Sequence, residues 1–410
     1  MRRSLAMLVV GAVTAVVPGA APAAAHGGDR TVTLRARALL SATAYQPGPV
    51  SGTQLDPVPV NGITPPFPGQ PIPGFSAIIT ATPGDRSGRR LLAMPDNGFG
   101  AKTNSADFLL RAYEIQPRYS THTVRVNGIV SFRDPDRKVP FPIVRGETAE
   151  RLLTGADFDI ESLQRDARGD LWVGDEFGPY LLHLDRTGKV LDAPIPLPDG
   201  TKSPQSPELG AGEQPTLPAS RGFEAMAVSG DGWTLYPVLE GARIGDADQR
   251  RRVVYEFDIR ANRYTGRTWT FRVDAPELVI GDAAMLDRDG RRLILIERDN
   301  GQGPTALVKR LVVTDLDAAD GAGLLPRRTV ADLLHIADPR GVSTPARAGE
   351  YGVGPIFSFP LQSVETVLPL RGDRVLVAND NNFPGNDGRI AGRPDDTELI
   401  EITIPGLARR

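Results

Sequence analysis

The chain has 410 residues, 40% of them hydrophobic and 24% charged, with 44 glycines, 37 prolines, no cysteine and a formal net charge of −3. No disulfide framework, thiol nucleophile or thiolate metal site is available, and a charge this close to balance gives neither the basic surface of a nucleic-acid binder nor an acidic tail. Length alone suggests two or three domains, but one all-β ring can absorb a whole chain of this size.

The first element is a leader. "MRR" precedes the apolar run "LAMLVVGAVTAVV", and small residues ending "APAAA" lead to His26. A basic cap, a short apolar core and Ala23-Ala24-Ala25 form a signal peptide over residues 1–25, cut after Ala25. The run is short for a bilayer crossing, and Pro18, Gly19 and Pro22 follow it, which argues against an anchor. The mature chain is expected to be secreted, extracellular or periplasmic, as a monomer with no membrane or nucleic-acid partner. Losing Arg2 and Arg3 takes its formal charge to about −5.

Residues 31–40, "TVTLRARALL", alternate as a strand does. The stretch "QPGPVSGTQLDPVPVNGITPPFPGQPIPG" is rich in turn formers yet apolar, and reads as an ordered surface loop. From Ser76 onward one antiparallel pattern recurs five times. "GFSAIITATPGDRSGRRLLAMPDNGFG" runs from Ser76 to Asp96-Asn97, and "DIESLQRDARGDLWVGDEFGPYLLHLD" carries Glu161 and Asp175-Glu176. "GFEAMAVSGDGWTLYPVLEGA" runs from Glu224 to Glu240, "GDAAMLDRDGRRLILIERDNG" from Asp282 to Glu297 and Asp299, and "SVETVLPLRGDRVLVANDNNFPG" from Glu365 to Asp380.

Each unit holds a Gly/Asp turn such as "SGDG", "DRDG" or "LRGD". Its second strand is an unbroken apolar run such as "RRLILI", suited to burial on both faces. Further strands follow the acidic loop, among them "LLRAYEI", "RVVYEFDI" and "TELIEITI". The last unit lacks a fourth strand, which "TVTLRARALL" can supply, closing a ring. The expected fold is therefore all-β, a single β-propeller domain over 26–410 with five or six four-stranded blades. The longer intervals leave room for a sixth. A pair of β-sandwiches, the runner-up, predicts no such period.

In an antiparallel hairpin the start of the first strand lies beside the end of the second. Glu161, Glu224, Asp282 and Glu365 begin first strands; Asp96, Asp175, Glu176, Glu240, Glu297, Asp299 and Asp380 end second strands. All are expected on one face, ringing the mouth of the channel that first strands line. Two carboxylates about 6 Å apart repel by roughly 3 kcal/mol at an effective dielectric near 20. Such a ring must hold protons, basic partners or a hard cation. The expected ligands are Asp96, Glu161, Asp175, Glu240, Asp282, Glu297, Asp299 and Asp380, an oxygen set that suits calcium better than zinc. The expected catalytic carboxylates are Asp175, Glu176, Glu224 and Glu365. Each acidic loop, taken singly, is also a plain turn formula.

Arg221 and Arg298 lie beside the acids and are expected to pair with them. His26, His122, His183 and His335 share no metal-ligand spacing, and His183, inside "YLLHLD", reads as a packed strand residue. There is no Gly-x-Ser-x-Gly, no phosphate-cradling Gly-x-x-x-x-Gly-Lys and no dinucleotide Gly-x-Gly-x-x-Gly opening a helix.

Taken together, "DNGFG", "DIES…GDLWVGDEFGPYLLHLD", "GFEAMAVSGDG", "RRLILIERDN" and "SVETV…LVANDNNFPG" resemble the phytase-like family described by an esterase-like activity of phytase, from about Ser76 to Thr403. The resemblance implies a secreted β-propeller and suggests phosphoester hydrolysis. The Lys- and Arg-rich phosphate face of calcium-dependent propeller phytases has no counterpart in this sequence. Two functions are therefore expected to compete. One is a metal-assisted hydrolase of a phosphoester or other ester, with a lactonase-type variant, acting on a small molecule at the channel mouth. The other is a secreted propeller that binds a ligand or protein without turnover and keeps a structural calcium.

Overall fold

Apolar runs and turn formers assemble into antiparallel units of four strands each. The computed structural model describes residues 31–287 and 290–409; the leader over 1–25 lies outside them. The first unit is built from Ala77–Thr80, Leu91–Met94, Arg111–Arg118 and Thr123–Ser131, the second from Ile160–Arg165, Leu171–Asp175, Tyr180–Leu184 and Ile195–Pro196. The third comprises Ala225–Val228, Thr234–Val238, Arg251–Asp258 and Arg263–Arg272, and the fourth Val279–Met285, Arg292–Arg298, Lys309–Asp315 and Arg328–Asp332. The fifth takes Ser363–Pro369, Arg374–Asp380 and Thr397–Thr403, with Thr33–Leu40 as its fourth strand. Helix among the described residues is confined to three-residue 3-10 turns, and no described helix is long and apolar enough to cross a membrane.

First strands touch one another in a closed cycle, from the first unit through to the fifth and back. The hydrophobic core is divided to match, with one cluster between each pair of neighbouring units. Alternation along a strand explains how one unit serves two cores. In the fourth unit Leu293 and Leu295 enter the core shared with Val238 and Trp269 of the third, whereas Ile294 and Ile296 enter the core shared with Val364 and Val377 of the fifth. An unbroken apolar second strand is therefore required by burial on both faces. Outermost strands face water on one side, and Arg263–Arg272 is mostly exposed along its first half. The architecture is all-β and propeller-like.

The two long intervals between repeats hold loops: the second of them pairs Ile336–Ala337 with Ile356–Phe357 and, through Ala337, with Thr33 of the N-terminal strand. The Pro/Gly-rich segment is ordered, as expected. Tyr45–Gln46 pairs with Gln70–Pro71, and Phe67 packs against Phe383 with ring centroids 5.0 Å apart.

Ring closure rests on the N-terminal strand. Its register runs antiparallel from Thr33 opposite Thr403 to Leu40 opposite Thr397; Leu34, Ala38 and Leu40 are buried, and Arg37 bonds Glu398 at 2.8 Å and Glu350 at 2.6 Å. Deleting residues 31–40 is expected to abolish cooperative unfolding, because two cores lose a wall and Glu350 loses a buried partner. A circular-dichroism melt reads this directly; a single transition at the parental temperature would show that closure contributes nothing.

Candidate functional site

Three of the five first strands carry a register break near the same end. Ile160 faces Asp175 and Ser162 faces Gly174, leaving Glu161 as the extra residue. Val364 faces Asn379 and Thr366 faces Ala378, leaving Glu365. Ile280 faces Glu297 and Asp282 faces Ile296, leaving Gly281. A bulge re-aims the side chain it carries, and here it turns Glu161 and Glu365 into the channel. Glu224, one residue before Ala225–Val228, joins them. One carboxylate oxygen from each of Glu161, Glu224 and Glu365 lies within 4.8 Å of the other two. Asp96, Asp159 and Glu161 form a second such group, so Glu161 belongs to both.

The fourth unit contributes a cation to this position. Arg298 Nη2 lies 2.8 Å from Glu365, 3.2 Å from Glu224 and 3.4 Å from Glu240. Gly281 makes room for it: a Cβ there would sit 2.3 Å from the Val364 carbonyl and 3.2 Å from Arg298 Nε. Glu240 also pairs with Arg221. The expected pairing of both arginines with the acids is thus observed.

The remaining candidates are spread out. Asp175 accepts from the backbone N–H of Asp159 at 2.8 Å and of Gly178 at 2.7 Å, and so fixes the acidic loop. Asp380 accepts from Asn382 N–H at 3.0 Å in a turn beside Asp96. Asp282 is spent on Ala283 N–H and Val367 N–H, stapling the fourth unit to the fifth, and borders a cavity of about 400 Å³ at the other end of the channel. Glu297 is drawn to Arg310 and Arg327 on the flank of its own unit. Asp299 is bound by Lys309 at 2.9 Å and by the backbone N–H groups of Gly301, Leu307 and Val308. Asp159 was not among the sequence candidates; its only signal is its place two residues before Glu161.

Burial sets the electrostatics. Removal from water pushes Glu161 well above the usual carboxylate range, with the charges of Glu224 and Asp159 adding to it. Burial and the neighbouring Glu365 and Glu240 do the same to Glu224, and burial with Asp96 and Asp175 to Asp159. Asp96 is pushed up to about 7 and Asp175 to about 6, burial leading in both. Asp299 behaves oppositely: its burial is outweighed by Lys309, which holds it low. Glu176 is 3% exposed, and its Oε1 has no hydrogen-bond partner; burial and the charges of Glu240 and Asp159 push it up as well. A set of buried carboxylates with one oxygen unused has capacity for a cation among them.

Asp96 links this group to an apolar space. It borders a cavity of about 440 Å³ walled by Leu55, Val58, Val60, Phe99 and Phe383. The Pro/Gly-rich loop therefore builds one side of the mouth.

A family model described as "Phytase-like: Esterase-like activity of phytase" matches residues 70–383. The chain belongs to the Phytase-like family. The matched span contains every carboxylate of the channel mouth, from Asp96 to Asp380. An uncharacterized secreted protein of Arthroderma benhamiae is 29% identical over a stretch covering 25% of this chain and 24% of the relative, so the chain spans about a quarter of that protein's length. Among solved structures, a luciferin-regenerating enzyme is 12% identical with a TM-score of 0.36, covering 80% of this chain and 77% of its own. A Lactobacillus plantarum protein is 12% identical with a TM-score of 0.35, covering 82% and 76%. Likeness at that level says nothing of what this Phytase-like chain does.

Proposed function

We propose that this Phytase-like protein is a secreted, metal-assisted ester hydrolase that works at the mouth of a five-bladed β-propeller. One observation carries the reading: a buried, all-oxygen carboxylate cluster opens at Asp96 onto an apolar cavity large enough for an acyl or alkyl group. The donor set fits a hard cation such as calcium, because it holds only oxygen, exceeds its own basic partners in charge and leaves the Glu176 oxygen unused. Asp96, Asp159, Glu161, Glu224 and Glu365 would hold the ion. When bound, it would polarise the ester and lower the pKa of a water molecule.

The chain's residues do the rest. Arg298 spaces and part-neutralises Glu224 and Glu365, and Asp175 fixes the loop that carries Glu176. The apolar wall seats the substrate's hydrocarbon part and excludes bulk water. Water oxygen bonds to the ester carbonyl carbon as the bond to the leaving oxygen breaks. Asp96 takes the water proton and returns it to that oxygen, with Glu176 as the reserve acceptor. The scarcity of free basic groups at the mouth favours an ester with an apolar part over a highly phosphorylated substrate.

The test is a p-nitrophenyl panel of acetate, butyrate, octanoate and phosphate esters, in chelator and in millimolar calcium. Turnover of acyl esters should require calcium, and Glu161→Gln should lower kcat/KM by about 100-fold or more. No calcium-dependent turnover anywhere on the panel would overturn the hydrolase reading, and ligand binding without turnover would put a binding propeller in its place.

Export is part of the proposal, supported by the leader's three regions and by the description of the fungal relative as secreted. Protein recovered from medium or periplasm should have the intact mass of a chain starting at His26. Retention of residues 1–25 would contradict it.

A further inference from the structure

A second group of ligand-type side chains lies at the far end of the second unit, away from the acidic mouth. The turn between Ile160–Arg165 and Leu171–Asp175 carries Asp166 and Asp170, and the neighbouring strand Tyr180–Leu184 carries His183. One atom from each of these three residues lies within 4.8 Å of the others. His183 is 8% exposed, and its Nε2 makes no hydrogen bond; it points at Asp170 Oδ2 from 3.7 Å. A buried ring nitrogen aimed at two carboxylates across a gap too wide for a hydrogen bond leaves a place between them.

The surroundings fix this ring as they would a ligand. His183 Nδ1 lies 2.7 Å from Asp192 Oδ2, which holds the proton on that nitrogen and turns the Nε2 lone pair toward Asp170. Trp172, its cross-strand partner, stacks on the imidazole with centroids 4.2 Å apart and planes 10° apart. Asp166 is immobilised through Oδ1 by the backbone N–H groups of Arg168, Gly169 and Asp170, and its Oδ2 accepts from Trp172 Nε1 at 3.3 Å, leaving a lone pair of that oxygen free. Asp170 is a quarter exposed, so the site has an approach from solvent.

We infer that His183 Nε2, Asp170 and Asp166 bind a first-row transition dication, of which zinc is the probe of choice, at a structural site separate from the channel mouth. One imidazole nitrogen with two carboxylate oxygens, oriented through an outer carboxylate, suits zinc and not calcium, which takes six to eight oxygens. Bound there, the ion ties the third strand of the unit to the turn between its first two and balances Asp166, Asp170 and Asp192. No sequence spacing announces this site, since its ligands come from a turn and from the strand after next.

The experiment is a calorimetric titration of the full-length, metal-stripped protein with zinc chloride in saturating calcium, which occupies the channel mouth. Cobalt chloride is titrated in parallel while tryptophan fluorescence is followed, because cobalt on His183 quenches the Trp172 stacked against it. The parent should bind one zinc per chain and be quenched by cobalt. Asp170→Asn, at a part-exposed position the fold tolerates, should weaken both by tenfold or more; His183→Gln should abolish them, and Glu161→Gln should leave them unchanged. Three results would overturn the site: no zinc affinity below millimolar, which means an imidazolium held between Asp170 and Asp192; parental binding by Asp170→Asn; or binding lost in Glu161→Gln and kept in Asp170→Asn.

Discussion

Replacing Arg298 by glutamine should destabilise the protein by about 3–5 kcal/mol at neutral pH in chelator, the usual cost of removing one partner from a buried charge group. Its guanidinium reaches Glu224, Glu240 and Glu365 together, and burial with the charge of neighbouring carboxylates pushes Glu224 and Glu240 up. Glutamine keeps two N–H donors but no charge, so the carboxylates must take up protons or repel. The loss should therefore shrink as pH falls, when protons do what the arginine did. Urea unfolding at pH 7.5 and pH 5 measures both points. A variant within about 0.5 kcal/mol of the parent at both values, the range of an ordinary surface change, would mean that Arg298 is not the counter-charge of the channel mouth.

The calcium-free parent should lose stability as pH rises from about 5 to about 7, against the habit of proteins whose acids are paired. Asp96 moves from 3.8 to about 7 on folding and Asp175 from 3.8 to about 6, both chiefly through burial. Over that window the folded state binds more protons than the unfolded one, so unfolding free energy falls with pH; the contribution is complete below 3.8 and gone once the folded values are passed. Acids held low act elsewhere. Glu350, whose burial is outweighed by Arg37 and Arg347, sits at about 2 and is ionised in both states above pH 5. Calcium favours the ionised carboxylates and should flatten or reverse the slope. Melting temperatures from pH 5 to pH 8, in chelator and in calcium, give the sign; a rise with pH in chelator would contradict the electrostatics of the cluster.

The repeat was legible because each unit is made from local signals. Gly/Asp turns, an apolar second strand and a terminal acid recur in sequence, and the missing fourth strand of the last unit pointed to Thr33–Leu40, which pairs there. Which acids meet was only partly legible. Spacing placed Asp282 beside Glu161 and Glu365, but the register break makes Gly281 their counterpart and moves Asp282 on by one residue. A bulge leaves no mark in composition. Glu297 and Asp299 were indistinguishable in sequence from Asp96, and what separates them is a set of cations, Lys309 and Arg310 from the third strand of the same unit and Arg327 from just before its fourth. Asp159 was hidden by its closeness to Glu161, although residues two apart on a strand share a side. His183 read as a packed strand residue, and it is packed; its buried Nε2 became visible only with Asp166 and Asp170 in place.

The claim that Glu161 is the shared member of a cation site is tested most directly by thermal melts of the parent and of Glu161→Gln at pH 7.5, each in chelator and in millimolar calcium. At a hundredfold excess over the dissociation constant, binding adds about 2.7 kcal/mol, a shift of a few degrees for a chain this long. The parent should melt higher in calcium. Glu161→Gln should melt at or above the parent in chelator, because a carboxyl that burial and the charges of Glu224 and Asp159 disfavour is replaced by a neutral amide, and should gain nothing from calcium. A parent that ignores calcium, together with a Glu161→Gln variant less stable than the parent in both buffers, would contradict the cation site and the hydrolase built on it.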